Sequence, residues 1–175
     1  GFLEFNCGTT ADEFDEAKLL NNYHNFNYFD HQGTHWAPHL IHKTIWDKVG
    51  GFSKEFDPGF ASDADLNMKL WKIGVRIFKG INNFKVYHFV SIVIKRINVP
   101  IKNKSNIKSK ASKIFLLKWG VSIKFFKKFY LNTNSEYLGP LKDPKKNIKF
   151  IFNYFLCKIY YLYVRLLYNK LYSKN

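Results

Sequence analysis

The chain has 175 residues, 46% hydrophobic and 19% aromatic, which is enough apolar material for the core of one domain. Its two cysteines, Cys7 and Cys157, lack metal-type spacing, which argues against a cysteine metal site and favours reduced thiols in the cytoplasm. The net charge of +15 is uneven: residues 1–90 hold 9 Lys/Arg against 11 Asp/Glu, and residues 91–175 hold 19 against 2. The second half therefore favours an anionic partner, although a lysine-rich genome would explain part of the excess.

Two helices are predicted in the first fifty residues. The first covers residues 8–22, with Thr10 as its cap and Glu13 three residues later in a capping box. The second covers residues 37–49, with Pro38 in its first turn. Its buried face is predicted to comprise Leu40, Ile41, Ile45 and Val49. The polar, aromatic stretch between the two helices is typical of a loop.

Residues 46–74, WDKVGGFSKEFDPGFASDADLNMKLWKIG, carry the densest pattern in the chain. Gly50 and Gly51 are predicted to end the preceding helix. Ser62 is placed to cap the next helix, with Asp65 as the acidic partner of a capping box. Apolar residues then recur at helical spacing until Gly74 ends this helix.

The next stretch alternates apolar with polar residues, as half-buried strands do, over residues 75–80 and 84–89. Residues 95–113 hold seven Lys/Arg and no acid, which predicts a flexible basic linker or an exposed loop. A helical pattern returns over residues 114–131, and a turn region with two prolines follows.

The final segment, residues 147–172, is predicted to be one long helix with a continuous apolar stripe. The stripe comprises Ile148, Phe152, Phe155, Ile159, Leu162 and Leu166. Lys158 and Arg165 would be costly near the centre of a spanning helix. The pattern therefore favours a helix on a membrane surface or against a partner, and ordinary packing in a larger protein is the alternative.

The run VGGF, a Pro-Gly turn and SDADLNMKLWKIG resemble the second half of the family 2 glycosyltransferases, which have the GT-A fold. The resemblance covers residues 28–90, about a third of the chain. Ser62 stands where the family usually has Glu, and Lys69 where it often has Arg. The family's nucleotide-binding first half and its metal-binding DxD motif have no counterpart here. Because the chain also starts at Gly1 without a signal-peptide layout, we expect it to be the carboxy-terminal part of a longer enzyme.

The resemblance implies roles for several residues. Asp63 matches the general base that takes a proton from the acceptor hydroxyl in inverting sugar transfer, and Asp65 is a secondary acceptor contact. His88 matches a ligand of the divalent cation, Mn²⁺ or Mg²⁺. Spacing alone leaves two alternatives open: Asp63 would satisfy amide donors at a helix start, and His88 would be a structural residue that closes a strand.

The resemblance also places Gly33, Thr34, His35 and Trp36 beside the donor sugar and the acceptor. Gly33 would allow close backbone approach and Trp36 would stack on a sugar, with core packing as the alternative for Trp36. Four histidines lie nearby, His31, His35, His39 and His42, but Pro38 interrupts the helical spacing that a zinc site would need.

These observations predict an α/β fold: the C-terminal part of a Rossmann-like GT-A domain in residues 1–92, a basic linker in 93–113 and a basic, aromatic helical tail in 114–175. The expected function is transfer of a sugar from a nucleotide-sugar donor to a glycan or lipid-linked acceptor, with inversion. The expected location is the cytoplasm, peripherally on the inner face of the membrane through residues 147–172. The alternative is a non-catalytic basic module that binds a membrane surface or nucleic acid. Nucleic acid is the less favoured partner because the aromatic residues recur at core-like spacing.

Overall fold

The computed structural model describes residues 4–26, 28–33, 36–89, 101–133 and 135–172. Six α-helices are described within these ranges: α1 (Glu16–Asn22), α2 (Lys43–Val49), α3 (Ser62–Lys72), α4 (Ile101–Trp119), α5 (Ile123–Phe129) and α6 (Ile148–Tyr172). Two short strands, β1 (His31–Gln32) and β2 (Lys79–Gly80), pair antiparallel, with His31 opposite Gly80. Within the described ranges this two-stranded sheet is small and antiparallel, so the GT-A class stays a prediction.

The core lies where α3, α4, α5 and the start of α6 meet. Its most deeply buried large side chains are Phe56, Leu66, Phe115, Leu116, Phe126 and Leu131. These come from both sides of the predicted 93–113 linker, so the two predicted parts share one core. The boundaries 1–92 and 114–175 stay predictions.

The start of α1 differs from the prediction. The helix begins at Glu16, not near Thr10, and Asp15 caps it by accepting a hydrogen bond from the Lys18 backbone N–H at 2.8 Å. Glu13 instead accepts a hydrogen bond from the Thr9 hydroxyl at 2.6 Å. The predicted capping box was therefore wrong, because Glu13 is used inside the preceding loop.

Helix α2 is shorter than predicted. It begins at Lys43, and His42 caps it, so Pro38 lies in the loop before the helix. Ile41, Ile45 and Val49 pack against the core as expected. Leu40 is 92% exposed, and its predicted place on the buried face was wrong.

The two predicted strands are mostly absent from the described residues. Only Lys79 and Gly80 of the 75–80 segment form a strand, and residues 84–89 form none. That second segment is anchored by Tyr87, whose hydroxyl donates to the Gly8 carbonyl at 2.7 Å and accepts from the Cys7 N–H at 2.9 Å. Side-chain anchoring replaces the expected strand pairing.

Much of the predicted basic linker is helical. Residues 101–113 belong to α4, whereas residues 95–100 lie outside the described residues. Lysine is a good helix former, and Ala111 and Phe115 give this helix a buried face at i, i+4 spacing. The chain turns at Gly120, which has φ = 70°, and Ser122 caps α5. The predicted 114–131 helix is thus divided in two.

The long final helix is confirmed as α6, and one stretch of it, Ile148–Tyr168, is long and apolar enough to cross a membrane, with a mean hydropathy of 1.2. Its packed face includes Phe150 and Val164, which are 8% and 1% exposed. The predicted apolar stripe lies on the opposite side, where its side chains are exposed. Lys158 and Arg165 lie between the two faces by helical periodicity.

Candidate functional site

Asp63 and Asp65, which form the run Asp63-Ala64-Asp65 (D-x-D in spelling, but not the family's metal motif), lie in the first turn of helix α3, and this turn differs from the prediction. Ala61 precedes the helix with φ = 65° and supplies no side-chain cap. Ser62 is the first helical residue, and its hydroxyl donates to the Gly59 carbonyl at 2.6 Å. The predicted cap at Ser62 and its pairing with Asp65 were therefore wrong.

Asp65 is fully buried and surrounded by donors. Its carboxylate accepts hydrogen bonds from the Ser53 hydroxyl at 2.6 Å and from the Trp119 indole N–H at 2.8 Å. Two ammonium groups neutralise it, Lys118 at 2.9 Å and Lys69 at 3.7 Å. All four of these contacts to the Asp65 carboxylate come from within the protein. Because two of them come from Lys118 and Trp119, Asp65 holds α3 to the end of α4.

Two further contacts extend this arrangement, which we call the Asp65 cluster: Ser53, Glu55, Asp65, Lys69, Lys118 and Trp119. Lys118 also binds Glu55 at 2.6 Å, and Lys69 donates to the Gly51 carbonyl at 2.9 Å. Burial alone would lower the pKa of Lys118, but its hydrogen bonds to Glu55 and Asp65 outweigh burial and raise it. The cluster gives Asp65 a structural role, while its predicted acceptor contact stays a prediction.

Asp63 lies in a different environment, although it is only two residues away. Its side chain is partly buried, and within the described part of the chain its carboxylate has no hydrogen-bond or ion-pair partner. Burial raises the pKa of Asp63, and His39 offsets part of that rise. The Asp63 carboxylate therefore accepts no described amide hydrogen bond at the helix start, and its predicted role as general base stays a prediction.

His39 is the neighbour of Asp63 that the sequence did not reveal. Burial lowers the pKa of His39, and the charge of Asp63 opposes that shift. Its Nε2 atom is buried and makes no hydrogen bond to any described residue. The two groups therefore influence each other through their charges, although no hydrogen bond or ion pair joins them among the described residues.

Of the predicted pocket residues, Gly33 and Trp36 are described, and both lie near the end of α5. Gly33 is buried, and its N–H donates to the Phe78 carbonyl at 2.7 Å. A side chain at Gly33 would meet the Leu131 carbonyl oxygen at 2.1 Å. The close approach that Gly33 allows is thus to the protein's own backbone, where the resemblance had implied a ligand.

Trp36 is 54% exposed, so core packing does not explain it. The Lys127 ammonium lies 5.5 Å from the centre of its ring, and burial lowers the pKa of that lysine. Thr34 and His35 lie outside the described residues. The stacking role predicted for Trp36 and the roles of its two neighbours stay predictions.

His88 is exposed and lies in the segment that Tyr87 anchors. Across the described ranges no hydrogen bond, ion pair or ring contact joins His88 to Asp63 or Asp65, and no three His, Cys, Asp or Glu side chains are grouped as metal ligands. These residues therefore do not by themselves form a site for Mn²⁺ or Mg²⁺, and the divalent cation stays a prediction.

Sequence reasoning missed three members of these arrangements: His39, Lys118 and Trp119. His39 belongs to the group of four histidines, and its distance of 24 positions from Asp63 gives no periodic signal. Trp119 and Lys118 lie more than fifty positions after Asp65. Comparison with known proteins gives no further guide, because the chain matches no family model, no curated protein and no solved structure.

Proposed function

We propose that this chain is the acceptor-side part of an inverting, family 2-like glycosyltransferase in which Asp63 is the general base. The observation that carries the proposal is the contrast between the two carboxylates of the D-x-D run. Asp65 is fully buried and neutralised by two lysines, whereas Asp63 is partly buried, unpaired among the described residues, and has a raised pKa. The motif's resemblance to the family adds the reaction class.

The chemistry needs one proton acceptor from this part of the protein. The acceptor hydroxyl oxygen forms a bond to the anomeric carbon, and the bond from that carbon to the diphosphate oxygen breaks with its electron pair. Asp63 takes the hydroxyl proton. A raised pKa brings a carboxylate closer to the operating pH, which makes it a better base.

Replacing Asp63 with asparagine should lower kcat for sugar transfer about 10²–10⁴-fold, the usual effect of removing a general base. The measurement uses the protein encoded by the reading frame that contains this chain. Release of nucleoside diphosphate would be followed over a panel of nucleotide sugars with Mn²⁺ or Mg²⁺. Asn keeps the shape of the side chain but cannot accept the proton.

Asp57→Asn is the matched control, because Asp57 is an exposed carboxylate six positions earlier. It should leave turnover unchanged. The Asp63→Asn variant should be no less stable than the unsubstituted protein at neutral pH. Burial raises the pKa of Asp63 in the folded state, so at a pH above its ordinary pKa the ionised carboxylate lowers the free energy of unfolding. Full turnover by Asp63→Asn would remove Asp63 as the base. Absent turnover by the unsubstituted protein across the panel would remove the transferase proposal.

His39→Gln should move the acidic limb of the pH–rate profile to higher pH. The charge of His39 lowers the pKa of Asp63, so its removal lets burial raise that pKa further. The base then loses its proton only at higher pH, and transfer begins at higher pH. The profile of kcat/KM between about pH 4 and pH 8 measures the shift. An unmoved limb, or one that moves to lower pH, would contradict the pairing of His39 with Asp63.

A further inference from the structure

Helix α6 presents an apolar face that no described residue covers. We call it the outer face and define it by Ile148, Phe152, Phe155, Ile159, Leu162 and Leu166, which are between 50% and 87% exposed. These positions recur at three- and four-residue spacing over five turns, so they form one continuous strip. A strip of this length on one helix is typical of an interaction surface.

The opposite face of α6 fixes the direction of the outer face. Phe150 packs edge-on against Phe125, with ring centres 5.1 Å apart. The Cys157 thiol lies 3.6 Å from the Ser122 hydroxyl, and Val164 is 1% exposed. From Phe150 to Val164 this contact runs for about 21 Å at 1.5 Å per residue. The helix is therefore held against the domain along most of its length.

Basic side chains surround the outer face. Lys145, Lys146 and Lys149 are exposed where α6 begins, and Arg165 is exposed near its end. Lys158 lies over the rings of Tyr154 and Tyr161, at 4.8 and 5.6 Å from their centres. Residues 91–175 as a whole carry 19 Lys/Arg against 2 Asp/Glu. An apolar strip bordered by cations is complementary to an anionic bilayer, whose acyl chains lie beneath negative headgroups.

We propose that α6 docks the protein on an anionic membrane surface, lying in the plane of the interface with its outer face in the acyl boundary. The proposal does not depend on the transferase activity. A spanning helix does not fit, because α6 would draw the attached basic helices α4 and α5 into the hydrocarbon. A symmetric pair of copies joined by this face does not fit either, because the basic border would meet itself. The apolar strip also offers nucleic acid no hydrogen-bonding group.

The test is sedimentation of the full chain with vesicles of phosphatidylcholine plus phosphatidylglycerol, and with phosphatidylcholine alone. We expect binding to the anionic vesicles that weakens as salt is added. Phe155→Glu with Ile159→Glu should lower the affinity at least about tenfold by placing charge in the acyl boundary. Ile77→Glu with Phe84→Glu is the matched control. Both of those residues are 61% exposed outside α6, and this pair should bind like the unsubstituted chain.

A second pair of variants tests the basic border. Lys145→Glu with Lys146→Glu should lower affinity for anionic vesicles about 25-fold or more, at roughly fivefold for each cation lost near the surface. Lys48→Glu with Lys54→Glu makes the same change in net charge at exposed positions far from α6 in the sequence, and should have a smaller effect.

Any one of five results would overturn the proposal, and four of them concern binding. These four are absence of vesicle binding, vesicle binding that Phe155→Glu with Ile159→Glu leaves unchanged, a dimer in solution that this variant separates, and oligonucleotide binding that this variant removes. Resistance of the bound protein to alkaline carbonate extraction would also overturn it, because that result indicates a spanning helix.

Discussion

Asp65→Ala is expected to lower the free energy of unfolding by about 3 kcal/mol, the lower end of the cost of removing one partner from a buried ion pair. The substitution leaves the Trp119 indole N–H and the Ser53 hydroxyl without their acceptor. It also leaves Lys118 and Lys69 with one fewer counter-charge beside the core. Chemical denaturation followed by tryptophan fluorescence measures the loss.

Asp47→Ala is the control, because Asp47 also lies on a helix and also pairs with a lysine four positions away. Both members of that pair are exposed, at 83% for Lys43 and 55% for Asp47, so its loss should cost at most about 0.5 kcal/mol. Similar losses for Asp65→Ala and Asp47→Ala would mean that the Asp65 cluster does not hold α3 to α4.

Gly33→Ala is expected to lower the free energy of unfolding by about 2–4 kcal/mol. Part of the cost, about 1–2 kcal/mol, is the left-handed backbone that Gly33 adopts at φ = 68°. The rest comes from the new methyl group, which would lie 2.1 Å from the Leu131 carbonyl oxygen and force the backbone apart. The same denaturation measurement applies.

Gly50→Ala separates these two contributions. Gly50 has nearly the same φ, 70°, and open space where a side chain would be added. Its substitution should therefore cost only the backbone part, about 1–2 kcal/mol. If the two variants lose equal stability, the close approach of Gly33 to Leu131 is not what requires glycine at that position.

Apolar residues at helical spacing predicted those helices whose buried face is visible within a short stretch of sequence. Helices α3 and α6 repeat apolar residues at helical spacing, and both were found with nearly the expected bounds. Helix α4 could have been predicted in the same way from Ala111 and Phe115, but the lysine content favoured a linker interpretation. A high density of charged residues indicates that a segment is exposed to solvent. The outer face of a helix is exposed as a loop is, so lysine content does not distinguish the two.

The candidate site depended on contacts between distant parts of the chain. Ser62 and Asp65 have the spacing of a capping box, yet Trp119 and Lys118 draw the Asp65 carboxylate away from the helix start. The influence of His39 on the pKa of Asp63 likewise depends on the path of the loop before α2, which no local signal describes. Sequence spacing indicates which groups are candidates, but burial and long-range contacts decide which carboxylate is left without an ion-pair partner among the described residues.

The shared core has a consequence for how far a substrate must reach. The Asp65 cluster fixes the start of α3, where Asp63 lies, to the end of α4, and α4 and α5 in turn hold α6. On a bilayer bound through the outer face, Asp63 would therefore stand at a constant height above the headgroups. If Asp63 is the base of the proposed transferase, such a body would select acceptors by length, because a hydroxyl group carried on a lipid anchor would meet Asp63 only when its glycan extends to that height.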